Sequence, residues 1–243
     1  MTDYTSLNIR TSELVYMPSE DTELAERLLA GYLGTVKRRR RGLAVLDMGT
    51  GTGALGIAAA MDKKVGRVLF ADKDDNALSL AKENILSNKR VLHAECSLVK
   101  TDLFSGIGVA ERFDIIAFNP PYLPSEGGKS PLEGAWDGGE TGVEVTAAFL
   151  EEAAGHLNDG GAILIVTSSF ADEERVYSLA KRLGLSVCLK KSIHVFFEDI
   201  TATVLVCYHG NTSGHVAGVL SDEYSAETGD REGETAAIAG ETP

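Results

Sequence analysis

Apolar residues recur at helical spacing over 20–36, where Leu24, Leu28, Leu29, Tyr32 and Leu33 form one stripe. A short apolar run at 43–46 predicts a buried strand, followed by an Ala-rich helix over 54–61. Strand 67–71 leads to a helix over 74–86, which Asp74 or Asp75 opens as a cap. A weaker strand lies within 96–101, and Phe113-Asp114-Ile115-Ile116-Ala117-Phe118 reads as a stronger one. A helix over 143–157 follows, and Gly160-Gly161 leads into strand 162–167. The next helix covers 173–183 and stops at Gly184. Runs at 185–193 and 200–208 are strands with no helix between them, which suits a hairpin.

Strands alternating with helices predict an α/β protein whose sheet is mainly parallel and covered on both faces. The adjacent final pair adds a C-terminal antiparallel strand, giving a Rossmann-like, seven-stranded sheet over residues 1–209. Residues 210–243 are rich in Gly, Ser, Thr, Ala and acids, and read as an acidic, disordered tail. The 243 residues carry a net charge of −13, which disfavours broad nucleic-acid binding. Apolar runs are strand-sized, and the N-terminus lacks a signal-peptide pattern, so a cytoplasmic protein without membrane contact is expected. Cys96, Cys188 and Cys207 have no metal-ligand spacing, and the five histidines form no catalytic or metal set, so no metal is expected. The basic run Lys37-Arg38-Arg39-Arg40-Arg41 suits a solvated helix end. It also suits contact with RNA or an acidic partner.

Candidate chemistry gathers at the predicted carboxyl ends of strands. Asp47-Met48-Gly49-Thr50-Gly51-Thr52-Gly53 is a glycine-rich turn between the first strand and the helix after it. No Gly-Lys-Ser/Thr follows, which disfavours a phosphate-binding P-loop, and the leading acid suits a cationic ligand. Asp72 ends the second strand, where a carboxylate accepts from ribose hydroxyls, and Asp102 follows the third. Asn119-Pro120-Pro121-Tyr122 ends the fourth. Pro121 stiffens that turn and Pro120 biases Asn119 toward extended backbone. The turn can present a side-chain and a backbone carbonyl to one planar NH2 group.

These motifs together resemble a class I S-adenosylmethionine-dependent methyltransferase. The resemblance implies Asp47, Gly49, Gly51 and Gly53 beside the methionine moiety of S-adenosyl-L-methionine, Asp72 on the ribose, and Asp102 with Leu103 around the adenine. It places Asn119 beside the transferred methyl. Val15-Tyr16-Met17-Pro18-Ser19-Glu20-Asp21-Thr22 and Ala135-Trp136-Asp137-Gly138-Gly139-Glu140-Thr141-Gly142 narrow the match. With them the chain is similar to HemK-like class 1 release-factor glutamine methyltransferases, in their shorter archaeal and eukaryotic branch. The first stretch also reads as a helix start with acids in its first turn.

That branch implies transfer of a methyl group to the glutamine amide of the Gly-Gly-Gln loop of a class 1 translation release factor. Asn119, Pro120 and Tyr122 are then catalytic, and Thr22 is a further cofactor contact. Pro121 and Trp136 complete the substrate site. The resemblance also implies a small zinc-binding activator subunit on a sheet edge, for which strand 96–101 is the candidate. Two other readings stay open. One is an RNA or DNA methyltransferase acting on an exocyclic base amine, which presents a similar planar NH2. The other is a noncatalytic scaffold with the same fold.

Overall fold

The computed structural model describes residues 7–37, 42–122, 139 and 141–207. Arg38 to Arg41, Trp136 and the tail at 210–243 lie outside the described residues. Among the described residues the α-helices and strands follow in order: α1 (Glu20–Thr35), β1 (Leu43–Met48), α2 (Ala54–Ala60), β2 (Val65–Asp72), α3 (Asp75–Asn88), β3 (Glu95–Lys100), β4 (Phe113–Phe118), α4 (Glu144–Ala153), β5 (Leu157–Ser168), α5 (Glu173–Arg182), β6 (Leu185–Val195) and β7 (Glu198–Cys207).

The strands form one sheet in the order β3-β2-β1-β4-β5-β7-β6. β1 to β5 run parallel, and β7 is antiparallel to both of its neighbours. β7 therefore enters the sheet between β5 and β6, and β3 and β6 are the edges. Central strand β1 is buried along its whole length, as a strand covered on both faces must be. Its side chains alternate between two cores. Val45, Ile115 and Leu164 face Leu29, Leu33, Ile57 and Phe70; Leu46, Ile116 and Ile163 face Phe104, Phe149, Leu150 and Val176. α1, α2 and α3 thus cover one face, and α4 and α5 the other.

Two boundaries differ from the sequence expectation for local reasons. β1 continues through Asp47 and Met48, because pairing with β2 and β4 extends to Met48. β5 starts at Leu157 instead of 162, passing through Gly160 at φ 67° with a register shift against β4. The helix expected over 143–157 correspondingly ends as α at Ala153, with one 3-10 turn at Ala154–His156. Among the described residues no helix is long and apolar enough to cross a membrane.

Candidate active site

A cavity of about 530 Å³ opens at the carboxyl ends of β1, β2 and β4, where open α/β sheets bind ligands. Its size falls within the range typical of small-molecule sites. Thr22, Asp47, Gly49, Gly51, Asp72, Asp102, Leu103, Asn119, Pro120, Pro121 and Tyr122 all border it. The structure therefore brings every described candidate residue except Gly53 to one cavity. Gly53 is the N-cap of α2 at φ 83°, and a Cβ there would lie 3.3 Å from that of Ala81. It lets α2 start close against α3, one step behind the cavity wall.

The β1–α2 turn owes its shape to close approaches. A Cβ on Gly49, whose φ is 60°, would lie 2.9 Å from the Phe118 ring. A Cβ on Gly56 would collide with the Phe70 ring and come within 2.7 Å of the Asp47 carboxylate. That second approach brings the Gly56 N–H to 2.9 Å from Asp47 Oδ2, which also accepts from Thr50 Oγ1 at 2.5 Å. Asp47 is 2% exposed. Burial pushes its carboxyl up to about 7, against the opposing hydrogen bonds from Thr50 and Gly56 and with added repulsion from Asp72 and Glu26. A buried carboxylate of this kind is stabilised by a cation at the cavity.

Asp72 accepts from the Gly51 N–H through Oδ2 and from the Asp74 N–H through Oδ1, each at 3.0 Å. Each oxygen keeps a second lone pair for a ligand hydroxyl. Asp74 in turn caps α3 through the Asn76 N–H. After β3, Thr101 Oγ1 donates to the Leu103 carbonyl and accepts from the Gly106 N–H, at 2.8 and 2.7 Å. That turn holds Leu103 at φ 46°, a conformation costly for a branched side chain. Asp102 is exposed at the rim, with Leu103 half-buried beside it.

The Asn-Pro-Pro-Tyr turn is held from a direction the sequence did not announce. Asn119 Nδ2 donates to Asp21 Oδ2 at 2.8 Å, and Tyr122 Oη donates to the same oxygen at 3.2 Å. Tyr16 Oη adds a third donor at 2.9 Å. Asp21 Oδ1 accepts from Ser19 Oγ at 3.0 Å and from the Thr22 N–H at 2.6 Å. Both tyrosine hydroxyls are pushed well above their usual range, first by burial and then by the Asp21 charge. Asn119 Oδ1, by contrast, is buried and accepts no hydrogen bond among the described residues.

In the sequence Asp21 reads as one of several first-turn acids of α1. Ser19 is the N-cap, but its side chain makes no capping bond and turns to Asp21 instead. Asp21 is 1% exposed and sits inside the site. The only local signal was an acid next to Thr22, and charge alone cannot tell an inward side chain from a solvated one.

Residues 19–192 match the family model described as the methyltransferase small domain. An archaeal protein of Methanocaldococcus jannaschii, named as an N5-glutamine methyltransferase, is 37% identical over 76% of this chain and 88% of its own length. A release factor glutamine methyltransferase of Rhodopirellula baltica is 33% identical over 68% of this chain, which spans 58% of that enzyme. Among solved structures, the E. cuniculi Mtq2–Trm112 complex that methylates the termination factor eRF1 matches with a TM-score of 0.58. It is 22% identical and covers 80% of this chain and 99% of its own. At that identity the likeness establishes the Rossmann-like fold.

Proposed function

This chain belongs to the methyltransferase small domain family, and on that premise we propose that it methylates the glutamine amide of the Gly-Gly-Gln loop of a class 1 release factor. The methyl donor is S-adenosyl-L-methionine. The observation that carries the reading is Asn119 Oδ1, buried beside Pro120 at the cavity and without a hydrogen-bond partner among the described residues. An unmatched buried acceptor costs about 1–3 kcal/mol, and an N–H of a primary amide satisfies it.

The cavity fits the cofactor by the chemistry of its walls. Asp47 matches a cationic amine, Asp72 a pair of ribose hydroxyls, and Leu103 with Asp102 an adenine ring. Gly49 and Gly51 supply close backbone approach, and Thr22 borders the methionine end; Gly53 contributes by seating α2. S-adenosyl-L-methionine supplies an electrophilic methyl group on a sulfonium.

The chain's own contribution is positioning. An amide nitrogen is a weak nucleophile because its lone pair is delocalised into the carbonyl. Asn119 Oδ1 and the Pro120 carbonyl accept its two N–H groups, concentrating electron density on nitrogen and aiming the lone pair. Tyr122, fixed through its hydroxyl, packs against the planar amide, and Pro121 keeps the turn stiff. Orientation of this kind can supply about 7–11 kcal/mol. The nitrogen forms the new C–N bond as the methyl's bond to sulfur breaks and sulfur keeps that electron pair; the nitrogen then releases one proton to solvent, so no strong base is required. Trp136, the remaining expected substrate contact, lies outside the described residues.

The first two curated relatives act on protein glutamine by name, which favours an amide over a base amine as acceptor. The β3 edge, Glu95–Lys100, pairs only with β2 among the described strands. It is the proposed docking edge for a small zinc-binding activator, in a cytoplasmic enzyme of translation termination. Labelled cofactor incubated with a release factor, its Gln→Ala loop variant and total RNA tests the reading. Label confined to the intact factor supports it, and label in RNA or in the loop variant rejects it.

A further inference from the structure

We infer that Asp21 is a positioning residue for methyl transfer: it sets which way round the Asn119 amide stands and strengthens Asn119 Oδ1 as an acceptor. The inference rests on the glutamine-methyltransferase reading for its kinetics but not for its geometry.

An asparagine amide has two nearly isosteric ends, one donating and one accepting. Only the orientation with Oδ1 available can receive a substrate N–H; the flipped one would present N–H to N–H. A carboxylate only accepts, so the atom of Asn119 that lies 2.8 Å from Asp21 Oδ2 must be the NH2 nitrogen. The partnership thereby leaves Oδ1 unengaged among the described residues. Asp21 is itself fixed on both sides. Ser19 Oγ and the Thr22 N–H hold Oδ1, while Tyr16 and Tyr122 hydroxyls converge with Asn119 on Oδ2. It stands 98 positions from Asn119 in sequence, so the contact pins the start of α1 to the end of β4.

The charge adds a second effect. Donation from Nδ2 to a carboxylate draws the amide toward its C–O⁻/C=N⁺ resonance form and makes Oδ1 a stronger acceptor. Positive charge grows on the substrate nitrogen as the C–N bond forms. A strengthened acceptor and a nearby anion both favour that change more than they favour the ground state. Thr22, next to Asp21, borders the cavity, so the same short segment meets the reacting amide and the cofactor wall.

The test is an exchange of partners. Asp21→Asn keeps size but places an NH2 opposite Asn119, which inverts the Asn119 amide. kcat should fall about 100-fold, the loss typical of one misdirected dipole, while cofactor Kd stays near wild type. Adding Asn119→Asp restores the pattern: the amide NH2 introduced at position 21 donates to one carboxylate oxygen and the other oxygen faces substrate. The double variant should recover kcat at least tenfold over Asp21→Asn. Asn119→Asp alone sets two carboxylates together and should stay as poor as Asp21→Asn. A kcat for Asp21→Asn within threefold of wild type, or no recovery in the double variant, overturns the inference. A further measurement on the wild-type protein needs neither a variant nor a methyl acceptor. The Asn119 side-chain NH2 should exchange slowly with solvent in a ¹⁵N amide spectrum without cofactor, and fast exchange overturns the inference. Because that readout is independent of substrate, it judges Asp21 even where release factor proves not to be the acceptor.

Discussion

Replacing Asp47 with Asn should make the cofactor-free protein more stable at pH 8 while weakening its hold on cofactor. Asp47 is buried, and burial raises its carboxyl from 3.8 to about 7. At 1.36 kcal/mol per pH unit, ionising it in the folded state costs about 4 kcal/mol more than in the unfolded chain. A folded value above the unfolded one means the native state binds more protons between about pH 4 and 7. Stability contributed by the neutral acid is thus complete below about pH 4 and is lost as pH rises through 7. Asn carries no such titration and keeps an oxygen for the Thr50 hydroxyl and the Gly56 N–H. Urea unfolding of both proteins from pH 4.5 to 8.5 reads the difference directly. The variant's advantage should be small at the acid end and reach several kcal/mol above pH 7. A difference that is flat with pH, or a variant that becomes relatively weaker as pH rises, would show that burial does not raise the Asp47 carboxyl.

The same carboxyl predicts that cofactor binding releases protons near pH 7 and weakens as pH falls below it, because a cationic amine favours the ionised form; calorimetry in two buffers of different ionisation enthalpy measures this, and Asp47→Asn should abolish it. Asn119→Ala should lower methylation by about 100- to 1,000-fold with cofactor Kd unchanged, checked by single-turnover assay and titration. Gly49→Ala combines a left-handed φ with a 2.9 Å approach to Phe118 and should cost about 1–3 kcal/mol of stability, read by denaturant midpoint. It should also weaken cofactor binding, because the turn has to move.

Much of the fold was legible because its signals are local. The stripe of Leu24, Leu28, Leu29 and Leu33, the apolar run Phe113–Phe118, and the Gly184 stop each act within a few residues. The single antiparallel strand followed from the missing helix between the last two runs. Insertion of β7 beside β5 was not legible, since strand order depends on long-range pairing. Nor was the early start of β5, where a glycine bulge reads as a loop in sequence.

The site divides in the same way. Asp47, Asp72, Asn119 and the glycine turn announced themselves because strand ends bring ligand groups to one edge. Gly53 matched the motif yet serves packing against Ala81, a distinction that needs the position of α3. Asp21 was hidden for the opposite reason. Its chemistry as a first-turn acid is ordinary, and only the 98-residue return of the chain to Asn119 turns it into part of the site.

The proposed function stands on a release-factor glutamine being the methyl acceptor. Tandem mass spectrometry of a class 1 release factor, incubated with this protein and S-adenosyl-L-methionine, tests it most directly. A single added methyl is expected on the side-chain nitrogen of the Gly-Gly-Gln glutamine, absent with Asn119→Ala protein. An unmodified glutamine alongside a methylated base in added RNA would contradict it.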